Sequence, residues 1–153
     1  MMRKSIFYSL LIYFLVISGC KSTKNQFSSS EQEMVVLTMQ KSSCRGKCPV
    51  YVMDVYNTGK LVLDGKANID YIGDFVGELD KNSLNQIVQE FENSDFQAFE
   101  DKYDSRITDI PSTYLTFKGK KVENRSGAPE KLDQLESTLT AVFKTTKWQE
   151  MED

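Results

Sequence analysis

The apolar residues of this chain recur at two different spacings, and the change between them limits the folds that the chain can adopt. Between residues 34 and 64 apolar and polar residues alternate, which is typical of strands with one buried face. From residue 84 the spacing becomes helical, at i, i+3, i+4 and i+7. The members of this stripe are Leu84, Ile87, Val88 and Phe91. The sequence therefore predicts a sheet followed by a helix that covers it.

The same two patterns place the remaining elements. Strands are predicted over 34–40, 50–56, 60–64, 112–118 and 121–125, with a further extended segment over 68–79. Their inward positions are Val35, Leu37, Met39, Tyr51, Met53, Val55, Leu61, Leu63, Leu115 and Phe117. Asp80 is a candidate N-cap for the first helix, and Ser83 with Gln86 is an alternative capping box one turn later. A second helix is predicted to start within residues 127–130 with Pro129 in its first turn, and its apolar stripe is Leu132, Leu135, Leu139, Val142 and Phe143.

These elements predict an α+β fold. Their order is β-β-β-β-α-β-β-α, and short strands joined by tight turns favour antiparallel pairing. Each helix has a single apolar stripe, so both helices are expected on one face of the sheet. We therefore expect a single domain over residues 34–149, built on an antiparallel sheet.

An export signal is expected before this domain. Arg3 and Lys4 give the chain a positive start, residues 6–16 are almost wholly apolar, and Cys20 follows a run of small residues. The apolar run is shorter than the roughly 20 residues that span a bilayer. Because its ending resembles a bacterial lipobox, we expect residues 1–19 to be a lipoprotein signal peptide. Cys20 is then the acylated residue, and its lipid is the expected contact with the membrane.

Residues 20–33 are polar and rich in serine, so they are expected to form a lipidated tether. Lys21 follows the cysteine, where an acidic residue retains enterobacterial lipoproteins in the inner membrane. By resemblance to such sorting rules, the expected location is the bacterial cell envelope. The protein would be anchored in the outer membrane and face the periplasm.

The composition excludes several classes of function. The chain has no histidine, which excludes Ser-His-Asp and Cys-His catalysis and histidine-ligated metals. Its formal net charge is −3, and removal of Arg3 and Lys4 with the signal would make it more acidic, so nucleic acid is not an expected partner. No cofactor or metal is expected. An enzymatic role stays open but is not favoured.

Cys44 and Cys48 are separated by three residues. In an oxidising compartment two such neighbouring cysteines usually pair, so a structural disulfide is expected. A redox-active dithiol is one alternative, because Arg45 and Lys47 would lower the pKa of a thiol. The other alternative is a thiolate metal site, which would need two further ligands. A strand is predicted to follow the pair, whereas redox motifs normally begin a helix.

Residues 100–111 form the longest irregular stretch between predicted elements, and loops near this length are often functional. Its candidate binding residues are Asp101, Tyr103, Asp104, Arg106 and Asp109. Two alternatives remain for this stretch. It is a solvated connection with an Asp–Arg contact, or it holds the paired acids of a carboxylate-based hydrolase.

The segment from Cys44 to Tyr51 reads Cys-x-Gly-x-Cys-Pro-x-Tyr. With this motif the chain resembles an uncharacterised family of bacterial secreted and lipoprotein domains of unknown function. Gly59 and Trp148 agree further, and the resemblance covers residues 34–149. It supports the domain boundary and the disulfide, and it implies no activity.

The expected function is that of a cell-envelope lipoprotein with a non-catalytic binding module. Its partner would be an envelope protein, a peptide or a glycan. The alternatives are a thiol-redox protein that uses Cys44 and Cys48, and a carboxylate-based hydrolase around residues 100–109.

Overall fold

The computed structural model of the protein describes residues 32–104 and 109–152. The predicted signal peptide, the acylated Cys20, the tether up to residue 31 and the candidate residue Arg106 lie outside the described residues. Among the residues that are described, no helix is long and apolar enough to cross a membrane.

The described residues contain strands, two α-helices and one short 3-10 helix over Phe96–Ala98. The strands are β1 (Val35–Lys41), β2 (Val50–Tyr56), β3 (Lys60–Ala67), β4 (Gly73–Glu78), β5 (Lys102–Tyr103), β6 (Thr113–Phe117), β7 (Lys120–Asn124) and β8 (Gln149–Glu150). The helices are α1 (Lys81–Asn93) and α2 (Glu130–Thr145). The prediction of an α+β domain is confirmed.

All eight strands belong to one sheet, in the order β5-β7-β6-β1-β2-β3-β4-β8. Neighbouring strands pair antiparallel, except that β5 runs parallel to β7. The predicted purely antiparallel sheet and the order β-β-β-β-α-β-β-α are therefore wrong in two respects, because the sheet is mixed and has two further strands. Both additional strands, β5 and β8, are two residues long and lie at the edges of the sheet. They are too short to show any alternation in the sequence.

One face of the sheet forms the core together with both helices. The inward positions of β2 and β3 are buried as predicted, and so is most of the apolar stripe of each helix. The Phe91 ring of α1 lies 5.3 Å from that of Phe117 in β6. The Phe143 ring of α2 stacks on that of Tyr51 in β2, with 4.4 Å between centroids. The opposite face carries the polar half of the alternation, for example Thr38 and Asp54.

Val35 is an exception to the predicted pattern. It was expected on the inward face with Leu37 and Met39, but it is 45% exposed. The pairing of β1 with β2 shifts between Val35 and Leu37, so the strand is irregular at its first residues. Val36 packs against the core instead.

The first helix begins where its sequence indicates. The Asp80 carboxylate accepts hydrogen bonds from the backbone N–H groups of Asn82 and Ser83, at 3.0 and 3.1 Å. It thus pairs two of the donors that the first turn of a helix leaves unsatisfied. The predicted N-cap is confirmed, and it fixes the point where the chain turns from β4 back over the core.

The backbone at Tyr71 packs closely against Gly65 in β3. A methyl group on its Cα would lie 1.7 Å from the Tyr71 carbonyl oxygen, and a backbone atom cannot move aside cheaply. We predict that Gly65→Ala lowers the free energy of unfolding by about 3 kcal/mol, the upper range for overpacking. Gly46→Ala is the matched control, because its methyl would meet only the Cys44 sulfur at 3.7 Å. Denaturant unfolding of both variants gives the comparison, and equal midpoints would contradict the prediction.

Candidate functional site

The last row of the covered sheet face is polar. Across four neighbouring strands, β7, β6, β1 and β2, the register aligns Asn124 with Thr113, Thr113 with Lys41, and Lys41 with Tyr51. The preceding row on the same face is wholly apolar. It consists of Val122, Leu115, Met39 and Met53, all buried. The hydrophobic core therefore ends within one row, and polar side chains take its place beneath α2.

Glu136 of α2 accepts hydrogen bonds from three residues of this row. Its Oε1 accepts hydrogen bonds from Lys41 Nζ at 2.6 Å and from Thr113 Oγ1 at 2.7 Å. Its Oε2 accepts one from Asn124 Nδ2 at 3.0 Å, and Asn124 also donates to Asp133 Oδ1 at 2.9 Å. The Lys41 and Glu136 side chains are only 18% and 21% exposed, so the ion pair is partly shielded from water. Lys41, Tyr51, Thr113, Asn124 and Glu136 are called the Glu136 cluster below.

Tyr51 is the buried member of the cluster, with only 2% of its surface exposed. Among the described residues its hydroxyl finds no hydrogen-bond partner, although a buried hydroxyl normally has one. Burial, and to a smaller extent the charge of Glu136, raises the pKa of Tyr51 above its ordinary value. The phenol therefore stays protonated at physiological pH. It can donate a hydrogen bond but cannot serve as a base or a nucleophile.

An open groove runs beside the cluster along α2. Its first part has a volume of about 480 Å³, and its walls include Ile110, Arg125, Asp133 and Ser137. A second part of about 420 Å³ shares Lys41, Glu136 and Ser137 with the first and extends to Thr140, Ala141 and Lys144. The two parts together are called the α2 groove below. Its described lining mixes polar residues with a few apolar ones, carries charges of both signs and contains no aromatic ring.

The disulfide predicted between Cys44 and Cys48 is present. It lies in the loop that joins the end of β1 at Lys41 to the start of β2 at Val50, so a strand follows it. The loop thus connects two members of the Glu136 cluster, Lys41 and Tyr51. This placement differs from that of a redox motif at a helix start and favours a structural bond.

The disulfide loop also contacts the segment that walls the α2 groove. Arg45 Nε lies 3.0 Å from Asp109 Oδ1. The Ser42 N–H donates to the Ser112 carbonyl oxygen at 2.9 Å, and the Ser112 N–H donates to Ser42 Oγ at 2.8 Å. Ile110 lies between these contacts and lines the groove. Two features that are distant in the sequence, the cysteine loop and residues 109–112, therefore form one border of the site.

Asp101, Tyr103 and Asp104 lie in or beside β5, the strand at one edge of the sheet. Asp101 is 88% exposed and lies 3.3 Å from Lys120. Tyr103 belongs to β5, and its Oη accepts a hydrogen bond from the Glu100 N–H at 3.0 Å.

Asp104 lies 3.1 Å from Lys102 and 3.7 Å from Arg125, which lines the groove. Asp104 therefore reaches the groove only through Arg125. Of the predicted acids, Asp109 is the one that contacts the border of the site directly.

The sequence interpretation missed most of the Glu136 cluster as a site, although a signal was present. Lys41 continues the inward alternation of Leu37 and Met39. Glu136 lies four residues after Leu132 and three before Leu139, at the flank of the apolar stripe of α2. A lysine and a glutamate at inward positions indicate a pair that satisfies each other, since buried charges are normally paired.

No metal centre is indicated in the part of the chain that the structure describes, since no three His, Cys, Asp or Glu side chains there could hold an ion. The fold and the site define an α+β domain with a polar groove beside a disulfide-bridged loop. The chain belongs to the family described as a domain of unknown function, DUF6438, whose model matches residues 35–143. Neither the curated proteins nor the solved structures contain a match to it.

The state of the Tyr51 hydroxyl makes stability depend on pH in alkaline solution. Above the ordinary tyrosine pKa of about 10, the unfolded chain releases the Tyr51 proton while the folded chain retains it, so rising pH favours unfolding. The stabilisation is present below that pH and is lost above it, by at most about 1.4 kcal/mol per pH unit. We predict that Tyr51→Phe loses less stability than the wild type between neutral and strongly alkaline pH.

Thermal unfolding across that pH range measures the effect. Tyr114→Phe is the matched control for the loss of a tyrosine hydroxyl, because Tyr114 is only half-buried in β6. If Tyr51→Phe and the wild type had parallel pH profiles, the proposed state of the Tyr51 hydroxyl would be incorrect.

Proposed function

We propose that this chain is a lipid-anchored protein of the bacterial cell envelope that binds a peptide or an extended protein segment in the α2 groove without catalysing a reaction. The observation that carries the proposal is the groove itself, bordered by the Glu136 cluster and the disulfide loop. The predicted export signal and the cysteine at its end support this proposed location. The outer membrane, facing the periplasm, is the proposed site of anchorage.

The chemistry of the site supports binding rather than catalysis. Hydrogen bonds from an ammonium group, a hydroxyl and an amide occupy both oxygens of the Glu136 carboxylate. The Tyr51 phenol remains protonated. The carboxylate oxygens are therefore engaged within the protein, and the phenol is not available as a base. The site instead offers fixed hydrogen-bonding groups along a groove, as a binding site does.

The lining of the α2 groove favours a peptide over a glycan. It presents hydroxyl groups from Ser126, Ser137 and Thr140 and charges from Lys41 and Asp133. These groups suit the amides and charges of a polypeptide. An aromatic platform for a sugar ring is missing from the described lining.

Site-specific crosslinking in intact cells tests the binding function. A photoreactive amino acid in place of Ser137, which lines both parts of the groove, should capture an envelope protein or peptide that mass spectrometry identifies. The same amino acid in place of Gln86, exposed on α1, is the matched control. Equal capture at both positions, or at neither, would contradict a binding role for the α2 groove.

The anchor has a separate test. We predict that Cys20→Ala abolishes acylation and releases the protein from the membrane fraction, because the lipid chains supply the firm attachment. Labelling with a radioactive fatty acid and membrane sedimentation measure both effects. Lys81→Ser, at an exposed residue of the domain, is the control. It should incorporate the fatty acid and sediment with the membranes as the wild type does. Retention of label by Cys20→Ala would show that the acylated residue lies elsewhere.

A further inference from the structure

The Cys44–Cys48 disulfide lies at the surface of the domain. The three residues between the cysteines, Arg45, Gly46 and Lys47, are exposed, and the cysteines themselves are half-buried. A disulfide outside a catalytic motif can still be the substrate of thiol–disulfide exchange, which requires that a thiolate reach one of the two sulfur atoms. Because neither cysteine is buried, a thiolate from solution can approach this bond.

The two sulfur atoms have different surroundings. The Gly46 N–H donates a hydrogen bond to Cys44 Sγ at 3.2 Å. Within residues 32–104 and 109–152 no hydrogen bond reaches Cys48 Sγ, and the Asn68 amide contacts Cys48 only at its carbonyl oxygen, at 2.9 Å. A donor that contacts a sulfur stabilises the charged thiolate more than the neutral disulfide. Cys44 is therefore the better leaving group when the bond is attacked.

The charge of the loop acts in the same direction. Arg45 and Lys47 flank Gly46, and positive charge nearby stabilises a thiolate. Arg45 is paired with Asp109, at 3.0 Å, while Lys47 forms no ion pair with any residue that the structure describes. The loop thus keeps a net positive charge that favours the approach of an anionic thiolate.

The segments on either side of the bond are held without it. Lys41, at the end of β1, is aligned with Tyr51 of β2 in the sheet. The Ser42 N–H donates to the Ser112 carbonyl oxygen at 2.9 Å, and Ser42 Oγ accepts from the Ser112 N–H at 2.8 Å. Because the disulfide closes a very short loop, its contribution to stability is modest. Reduction should therefore release the loop and leave the sheet in place.

We infer that Cys48 is a site of thiol–disulfide exchange, and that a dithiol reduces the loop by attack at this sulfur. One thiolate of the dithiol bonds to Cys48 Sγ, the bond between Cys44 and Cys48 breaks, and Cys44 leaves with the electron pair as a thiolate. The second thiolate of the dithiol then attacks the sulfur of the first and releases the Cys48 thiolate. Two electrons pass to the cysteine pair, and the dithiol becomes a disulfide.

The exchange site adjoins the α2 groove through Arg45, which contacts Asp109 at the border. Reduction removes the covalent constraint on the position of Arg45, while the strand pairing next to the loop remains. The inference does not depend on the binding of a peptide, because it concerns the chemistry of the loop alone.

Glutathione is the probe that shows which sulfur is attacked. The folded, full-length acylated protein in detergent is incubated with glutathione, quenched with acid and treated with N-ethylmaleimide. Trypsin cleaves after Arg45 and after Lys47, so Cys44, Cys48 and Cys20 fall in separate peptides. Mass spectrometry then gives the glutathionylated fraction at each cysteine. We expect about fivefold or more glutathione at Cys48 than at Cys44, as the stabilised Cys44 thiolate implies.

Two variants of one residue test the cause of the preference. Gly46→Pro removes the N–H that contacts Cys44 Sγ and should bring the two fractions close to equality. Gly46→Ala is the matched control, because it keeps the N–H and places its methyl 3.7 Å from the Cys44 sulfur, an ordinary contact. It should keep the preference for Cys48. Cleavage after Lys47 still separates the two cysteines in both variants, and circular dichroism shows that each is folded.

Equal glutathionylation of both cysteines in the wild type, or a preference for Cys44, would overturn the inference. A preference for Cys48 that survives in Gly46→Pro would do so too. Reduction by dithiothreitol is the second measurement, and the reduced protein should keep its circular dichroism spectrum. A bond that dithiothreitol reduces only after unfolding would also contradict an exchange site. None of these results affects capture of a partner at Ser137, which tests the proposed function separately.

Discussion

The Glu136 carboxylate is the contact on which the organisation of this end of the domain depends. It accepts hydrogen bonds from residues of three different strands, Lys41 of β1, Thr113 of β6 and Asn124 of β7, and so joins α2 to the sheet where the apolar core ends. A carboxylate that is shielded from water needs such partners, since an unpaired charge there would be costly. The row is polar, and the groove lies where the hydrophobic packing stops.

The sequence predicted the fold well where the apolar spacing was sustained. Most of the stripe of α2 and the alternation through β2 and β3 are buried as expected, since each follows one period over several turns or residues. The sequence did not predict strands whose pairing depends on a neighbouring strand rather than on their own apolar spacing. Strands β5 and β8 each have two residues, and their hydrogen bonds form because an edge strand is already in place. The irregular start of β1, which exposes Val35, likewise leaves no trace in the alternation.

The candidate site was harder to predict than the fold, for a similar reason. Asp109 was selected because it lies in a long acidic loop, but its link to the site is the contact with Arg45, 64 positions earlier in the chain. That proximity follows from the pairing of β1 with β6, whose ends carry the two segments, and the sequence does not reveal the pairing. Glu136 and Lys41 were visible as charges at inward positions. Their partnership became evident only when the register placed them together.

This arrangement shows which parts of the site the Cys44–Cys48 disulfide constrains. Closing so short a loop stabilises a protein by about 2 kcal/mol in the chain-entropy model, which is modest. The loop between Cys44 and Cys48, however, joins Lys41 directly to the strand that carries Tyr51, and its Arg45 contacts the wall of the groove. The disulfide in this loop limits the positions of Lys41, of the strand that carries Tyr51 and of the groove wall that Arg45 contacts. The bond therefore constrains the geometry at the border of the α2 groove as well as contributing to the stability of the fold.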